Sequence, residues 1–144
     1  MQALHTDAEV ARVRSANELV AAAERWCSMV QAQGGTWTIE NPANSILWAM
    51  PAMRRLAEGH GVSEVLYRAC AFGGKRPKHQ KLLGRVAGLE ILARPCPGNH
   101  EHAPWGMVRG KWAAKEEAEY PMPFCTELVA VVRKHHAACF QEAD

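Results

Sequence analysis

The chain has 144 residues, of which 48% are hydrophobic and 22% charged, with a formal net charge of +2. These values are typical of one globular domain over residues 1–144, and they exclude a disordered or strongly basic chain. No apolar run approaches the roughly 20 residues that a membrane-spanning helix needs, and the first residues lack an apolar signal core. Five cysteines, an odd number, do not suggest a disulfide framework, so we expect an intracellular, reduced protein.

Residues 6–33 are expected to form one amphipathic helix. Thr6 or Asp7 can cap its start, and Glu9 favours the first turn. Gly34 and Gly35 end it. Apolar residues at helical spacing predict one buried stripe, which consists of Val10, Val13, Leu19, Val20, Ala23, Trp26, Cys27 and Val30.

The stretch TWTIENPANSILWAMP combines a strand pattern with a helix start. Residues 36–40 predict a short strand because Trp, Ile and the threonines suit a pleated, packed environment. A helix over residues 45–58 is expected to follow, capped by Asn44 or Ser45. Pro51 lacks a backbone donor, so the helix should be kinked or should begin later at that point.

The second half of the chain alternates strand patterns with glycine- and proline-rich turns. Residues 64–71 predict a strand. The following segment predicts either two strands, around Leu82 and Leu89, or one weak helix, and its two glycines favour the strands. Residues 94–111 hold several prolines and glycines and predict an irregular loop, before a helix over residues 123–140. This order predicts an α/β domain of two or three layers around a central sheet. Helices between strands favour partly parallel pairing, with a possible antiparallel edge.

Glu40, Asn41 and Pro42 follow the first predicted strand. Ligands of α/β sheets bind beyond the carboxyl ends of strands, where a glutamate can offer its oxygens to a base edge or an amine. Glu40 is therefore a candidate ligand-binding residue. The alternative is that Glu40 lies in a turn where Asn41 makes a local hydrogen bond.

A basic segment follows the second predicted strand. Its candidate phosphate-binding residues are Lys75, Arg76, Lys78, Lys81 and Arg85. Clustered positive charge of this kind suits contacts to a nucleic-acid backbone. The alternative is a solvated hairpin tip with no ligand.

Thiol and imidazole side chains in CPGNHEH predict a zinc site formed by Cys96, His100 and His102. This spacing supplies at most three ligands, so a fourth must come from elsewhere in the chain. Cys125 and Cys70 are the candidates for the fourth ligand. The alternative is a polar surface loop that is held by Trp105.

Two motifs together resemble a known family. IENPANSILW and the later CAFGGKRPKHQKLLG are similar to part of the cytosine-5 DNA methyltransferases, especially the divergent members of phages and mobile elements. The resemblance covers roughly residues 8–92. It implies a partial Rossmann-like three-layer sheet. It also implies that Glu40 and Asn41 are the candidate catalytic residues, with Glu40 gripping the Watson–Crick edge of a flipped cytosine and Asn41 shaping the turn. Lys78 and Lys81 would contact the target nucleotide.

The chain also departs from that family. His79 and Gln80 stand where the family has a threonine, and the S-adenosylmethionine-binding and nucleophile motifs are missing. Pro95-Cys96 lies downstream of Glu40, in the wrong order for the nucleophile. The sequence therefore predicts a methyltransferase-like fragment that contacts DNA and is inactive alone. S-adenosylmethionine would bind only if a partner chain completed the sheet. The alternative is a zinc-stabilised module that binds nucleic acid or protein.

Overall fold

The computed structural model describes residues 6–108, 110–116 and 118–141. Within these ranges the chain forms four helices and five strands, which confirms the mixed α/β prediction. Three short 3-10 turns, at Ile46–Ala49, Ala69–Phe72 and Leu89–Leu92, lie between them. The helices and strands are α1 (Asp7–Ala32), β1 (Thr38–Pro42), α2 (Pro51–Ala57), β2 (Ser63–Arg68), β3 (His79–Gly84), β4 (Met107–Val108), β5 (Lys111–Trp112), α3 (Ala113–Glu116) and α4 (Met122–Gln141).

The main sheet has three strands in the order β1-β3-β2, and both pairings are antiparallel. The expectation of partly parallel pairing is therefore wrong, and a Rossmann-like sheet is not confirmed. The reason is that β3 turns back after β2 and lies between β1 and β2. These two outer strands run in the same direction, but they do not touch as parallel neighbours.

Helices cover both faces of this sheet, so the described domain has three layers. On one face, α1 and α2 pack with Trp37 and Leu83 around a buried cluster that includes Cys27 and Met53. On the other face, α4 packs through Phe124 on a second cluster from the sheet and the later turns. The residues of that second cluster are Val65, Tyr67, Phe72, Leu82, Val86, Leu89, Leu92 and Phe124.

Helix α1 begins as the sequence predicts. Thr6 accepts a hydrogen bond from the backbone of Glu9, whose carboxylate accepts one in return from the Thr6 backbone. The predicted buried stripe is wrong, because Cys27 is the only buried residue of α1. Leu19 is 72% exposed and Trp26 is 68% exposed. The helix is longer than the surface it packs on, so helical periodicity alone misidentifies its core.

Three other element boundaries can be compared with the sequence. Pro51 is the first residue of α2, which confirms the later helix start. Strand β1 continues through Pro42, so Glu40 lies within a strand rather than beyond its end. The strand expected around Leu89 is absent from the described structure. Gly88 adopts a left-handed conformation there, with φ of 85°, and begins a 3-10 turn instead.

The segment after β3 is mostly irregular, as predicted. It contains one short hairpin, in which β4 pairs with β5. Helix α4 then agrees closely with the predicted helix. None of the described helices is long and apolar enough to cross a membrane.

Candidate metal centre and the cavity at Glu40

Four potential metal ligands converge at one end of the sheet. The ligand atoms of Cys70, Cys96, His100 and His102 all lie within 4.8 Å of one another. Cys70 belongs to the 3-10 turn directly after β2, and the other three belong to the loop that the sequence singled out. The structure thus brings together the three predicted ligands with one of the two candidates for the fourth.

The spacing of these atoms suits a tetrahedral ion. Zinc bonds of about 2.3 Å to sulfur and 2.0–2.1 Å to nitrogen place neighbouring ligand atoms roughly 3.3–3.8 Å apart. The Cys96 sulfur lies 3.4 Å from His102 Nε2 and 3.9 Å from His100 Nε2. The two imidazole rings are nearly perpendicular, with centroids 4.7 Å apart. Small shifts would therefore seat an ion among them.

His100 is oriented for coordination by its neighbour Asn99. The Nδ1 atom of His100 lies 3.3 Å from Asn99 Oδ1. Because an amide oxygen only accepts hydrogen bonds, Nδ1 carries the hydrogen and Nε2 keeps its lone pair. Such a second hydrogen bond is the usual support of a metal-binding histidine.

Cys70 is the most enclosed of the four residues, with 6% of its surface exposed. Burial raises the pKa of the Cys70 thiol, and the nearby Cys96 raises it further. Without a cation this buried group therefore stays protonated. A bound Zn²⁺ would offset that effect because it coordinates the thiolate.

Cys125, the other candidate for the fourth ligand, does not join this cluster, so that prediction is wrong. It lies on α4, where it packs against the core between helix and sheet. Cys125 also lines a cavity beside Glu40 of β1, the strand at the far edge of the sheet from β2. Local spacing could not separate it from Cys70, since both are distant in sequence from the loop.

Backbone hydrogen bonds hold the loop against the sheet and the basic turn. Arg68 N donates to Arg94 O at 2.8 Å, and Ala103 N donates to Lys75 O at 2.9 Å. The Arg94 guanidinium lies over the Phe72 ring, 4.7 Å from its centroid, and pairs with Glu127 on α4. The loop that carries three ligands is thus fixed at both ends.

Most of the predicted phosphate-binding residues have structural roles. Arg76 is buried, donates from Nε to Pro104 O at 2.9 Å and lies over the Trp105 ring. Lys81 pairs with Glu64 at 2.8 Å.

Arg85 donates to the backbone oxygen of Gly35 at 3.0 Å. Lys78 is half-buried, and Lys75 is exposed. The five residues therefore do not form one basic surface, and Lys75 is the best placed of them for an outside partner.

Glu40 lies on the sheet face that α4 covers. Tyr120 donates its hydroxyl hydrogen to Glu40 Oε2 at 2.6 Å. Burial, followed by this hydrogen bond and the Glu40 charge, raises the pKa of Tyr120 to about 12. Both residues line a cavity of about 310 Å³ together with the apolar side chains of Leu82 and Phe124.

Several buried polar atoms near Glu40 have no hydrogen-bond partner among the residues that the structure describes. They are Glu40 Oε1, the Tyr67 hydroxyl and Gln80 Oε1. In the sheet register Gln80 is the direct partner of both Tyr67 and Pro42, which is two residues from Glu40. All three polar side chains therefore leave the same face at neighbouring positions. Buried unpartnered atoms are uncommon, and here they indicate a place for water or a ligand.

Asn41 does not share this cavity with Glu40. Successive strand residues point to opposite faces, and Asn41 is paired with Lys81 in the register, on the α1 and α2 side. None of the five basic residues is among the described residues that line the cavity. In the described structure, Glu40, Asn41 and Lys78 therefore do not meet in one site. Tyr67 and Tyr120 were missed because no motif marks them.

A second thiol–imidazole pair lies on α4. Cys139 Sγ is 3.7 Å from His135 Nε2, and His135 Nδ1 accepts a hydrogen bond from Ala87 N at 3.1 Å. Because Nδ1 accepts, Nε2 of the neutral ring carries the hydrogen and cannot remove the thiol proton. This arrangement does not support a nucleophilic cysteine.

Comparison of the chain with protein-family models, with curated proteins and with solved structures found no match.

Proposed function

We propose that this chain is a zinc-stabilised module that binds nucleic acid. The observation that carries the proposal is the convergence of two cysteines and two histidines within 4.8 Å. Two thiolates and two imidazoles make a common structural zinc set, and four protein ligands leave no open position for catalysis. The ion would therefore hold structure together rather than perform chemistry.

Zinc at this position would add a further link between two parts of the chain that backbone hydrogen bonds already join. It would link Cys70, at the end of β2, to the loop that holds Cys96, His100 and His102. The basic turn lies between these ligands in sequence and is already bound to the loop through Lys75 O. Metal binding would thus fix the shape of the basic turn as well.

Exposed aromatic and basic side chains near this loop favour nucleic acid as the partner. Trp105 is 53% exposed and Trp112 is 66% exposed, and Lys75 and Lys111 are exposed as well. Tryptophan faces can stack on unpaired bases while lysines contact the phosphates. The mild net charge predicts modest affinity that weakens as salt rises.

Metal analysis of the purified chain tests the zinc part. We expect one zinc per chain by mass spectrometry of the metal content, and a visible thiolate-to-cobalt band after exchange with Co²⁺. Cys70→Ser should lower the metal affinity at least about tenfold. The matched control Cys125→Ser should not change it. Absence of stoichiometric zinc, or equal effects of the two variants, would refute this part.

Fluorescence anisotropy with labelled single-stranded and duplex oligonucleotides tests the nucleic-acid part. Lys75→Glu and Trp105→Ala should each weaken binding, and Lys75→Glu should also reduce the salt dependence by about one counterion. Arg54→Glu, an exposed change on α2, serves as the control. If the chain holds zinc but binds no oligonucleotide, nucleic acid is rejected as the partner and a protein partner is favoured.

A methyltransferase-like contact with DNA is the second proposal. Glu40 supports it, because one carboxylate oxygen lies unpartnered beside a cavity. That oxygen could accept a hydrogen bond from the exocyclic amine of a base. We expect deoxycytidine to bind more tightly than thymidine in calorimetry and Glu40→Gln to remove the difference. Tight S-adenosylmethionine binding by the chain alone would contradict the inactive state.

A further inference from the structure

In the first half of helix α1, no side chain is buried by contact with the rest of the described chain. Every residue from Asp7 to Leu19 is exposed, and α1 is attached to the domain farther along, through Cys27 and the pairing of Glu24 with Arg55. The exposed part is about 20 Å long at 1.5 Å per residue. A helix this short is marginal in water when nothing packs on it.

An apolar row runs along the exposed side of α1. Leu19, Ala22, Trp26 and Met29 follow the alternating three- and four-residue spacing of a coiled-coil seam. Leu19, Trp26 and Met29 are 72%, 68% and 61% exposed. This seam does not coincide with the side that holds Cys27, so a second helix could approach it without displacing the domain.

We infer that the seam pairs with the α1 helix of a second copy of this chain in antiparallel orientation. This arrangement places Leu19 opposite Ala22 of the second copy and Trp26 opposite Ser15. Leu19 and Trp26 thus each meet a small side chain, which is how facing helices interdigitate. It also places each copy's exposed helix start beside the part of the partner's α1 that is attached to its domain.

Charges beside the seam favour the same orientation. Glu18 and Arg25 immediately precede Leu19 and Trp26. The two-fold symmetry of an antiparallel pair brings Glu18 next to Arg25 of the other copy, and it does so twice. A parallel pair would set Trp26 against Trp26 and would crowd both domains at one end. A second copy in antiparallel orientation therefore fits both the shape and the charge of the seam.

Sedimentation and light scattering of the full chain over a range of concentrations test this inference. The mass should rise toward twice the 15.9 kDa of one chain. Glu18→Arg and Arg25→Glu should each raise the dimer dissociation constant roughly tenfold, because each creates two like-charge contacts. The double variant Glu18→Arg/Arg25→Glu should restore dimerisation, since it exchanges the signs and keeps the pairs.

Apolar truncations provide the matched comparison. Leu19→Ala should weaken the dimer, whereas Ile46→Ala, which removes an aliphatic side chain that is 84% exposed elsewhere, should not. Circular dichroism confirms that each variant is folded, and repeating the measurement with a chelator separates self-association from the metal centre. A monomer at all concentrations would overturn the inference, as would failure of the charge exchange to restore the dimer.

Discussion

Tyr120 and Glu40 lie 80 positions apart in sequence and share a hydrogen bond of 2.6 Å. The bond attaches the segment before α4 to β1, an edge strand of the sheet. The other oxygen, Glu40 Oε1, is buried and has no hydrogen-bond partner in the described part of the chain. The second tyrosine, Tyr67, also lies close enough for the Glu40 charge to raise its pKa, although burial is the larger cause. The charge of this carboxylate therefore raises the pKa of both tyrosines of the chain.

The ionisation of the tyrosines gives the first prediction. The chain has only two tyrosines, and the pKa of each is raised, that of Tyr120 to about 12. An absorbance titration at the tyrosinate band should therefore show no transition near pH 10, where free tyrosine ionises. In denaturant both residues should titrate near pH 10. A normal transition near pH 10 in the folded chain would contradict the raised pKa of both residues.

The same shifts predict how stability depends on pH. Between pH 10 and about 12 the unfolded chain loses tyrosine protons that the folded chain retains. The unfolded state then binds fewer protons, so the free energy of unfolding falls as pH rises through this range. Urea unfolding at several alkaline pH values measures the slope. Tyr120→Phe should reduce the slope, and an unchanged slope would contradict the assignment to Tyr120.

Replacement of Glu40 is predicted to stabilise the fold. Glu40→Met keeps the approximate shape and removes a carboxylate with one buried, unpartnered oxygen. We expect the free energy of unfolding to rise by about 1–3 kcal/mol. Glu64→Met removes an exposed carboxylate paired with Lys81 and should change it by at most about 1 kcal/mol. A loss of stability in Glu40→Met would show that the lost hydrogen bond from Tyr120 outweighs the gain from removing the unpartnered oxygen.

Arg76 and Lys75 are adjacent residues of the same turn with opposite expected roles. Arg76 is buried and bonded to Pro104 O, whereas Lys75 is exposed. Arg76→Ala should lower the free energy of unfolding by about 2–4 kcal/mol. Lys75→Ala should leave it within about 0.5 kcal/mol and weaken nucleic-acid binding instead. Thermal unfolding and anisotropy measure the two effects. Equal stability of both variants would contradict the structural role of Arg76.

Phe124 is the side chain through which α4 is expected to contribute most to the core. It is 3% exposed and stacks on Tyr67 with ring centroids 4.5 Å apart. Phe124→Ala should cost about 3–5 kcal/mol in urea unfolding. Val129→Ala, at a residue of α4 that is 47% exposed, should cost less than about 1 kcal/mol. Similar costs for the two would mean that α4 does not pack as described.

Local chemistry was predictable from the sequence wherever neighbouring residues determine it. Thr6 and Glu9 form the cap of α1, and Pro51 begins α2, since capping groups and proline act within one turn. The loop with Cys96, His100 and His102 could be recognised for the same reason. These features depend on short-range geometry that the rest of the fold does not alter.

Features that depend on tertiary packing could not be predicted in this way. Strand β3 lies between β1 and β2 in the sheet, and no local sequence pattern predicts that strand order. The choice of Cys70 over Cys125 depends on which side of the sheet each reaches. The sequence predicts a surface charge at Arg76. In the structure this residue is buried, and its guanidinium lies over Trp105 and donates to Pro104 O.

If the proposed metal binds, the division of its four candidate ligands between one loop and one distant turn affects how it stabilises the fold. Cys96, His100 and His102 lie so close in sequence that an unfolded chain can still bind an ion with three ligands. Cys70 can join them only when β2 and the loop are in place. Binding to the unfolded state reduces the stabilisation that a ligand gives. The ion would therefore stabilise the native state only by the extra affinity that Cys70 adds, and Cys70→Ser would uncouple metal binding from folding.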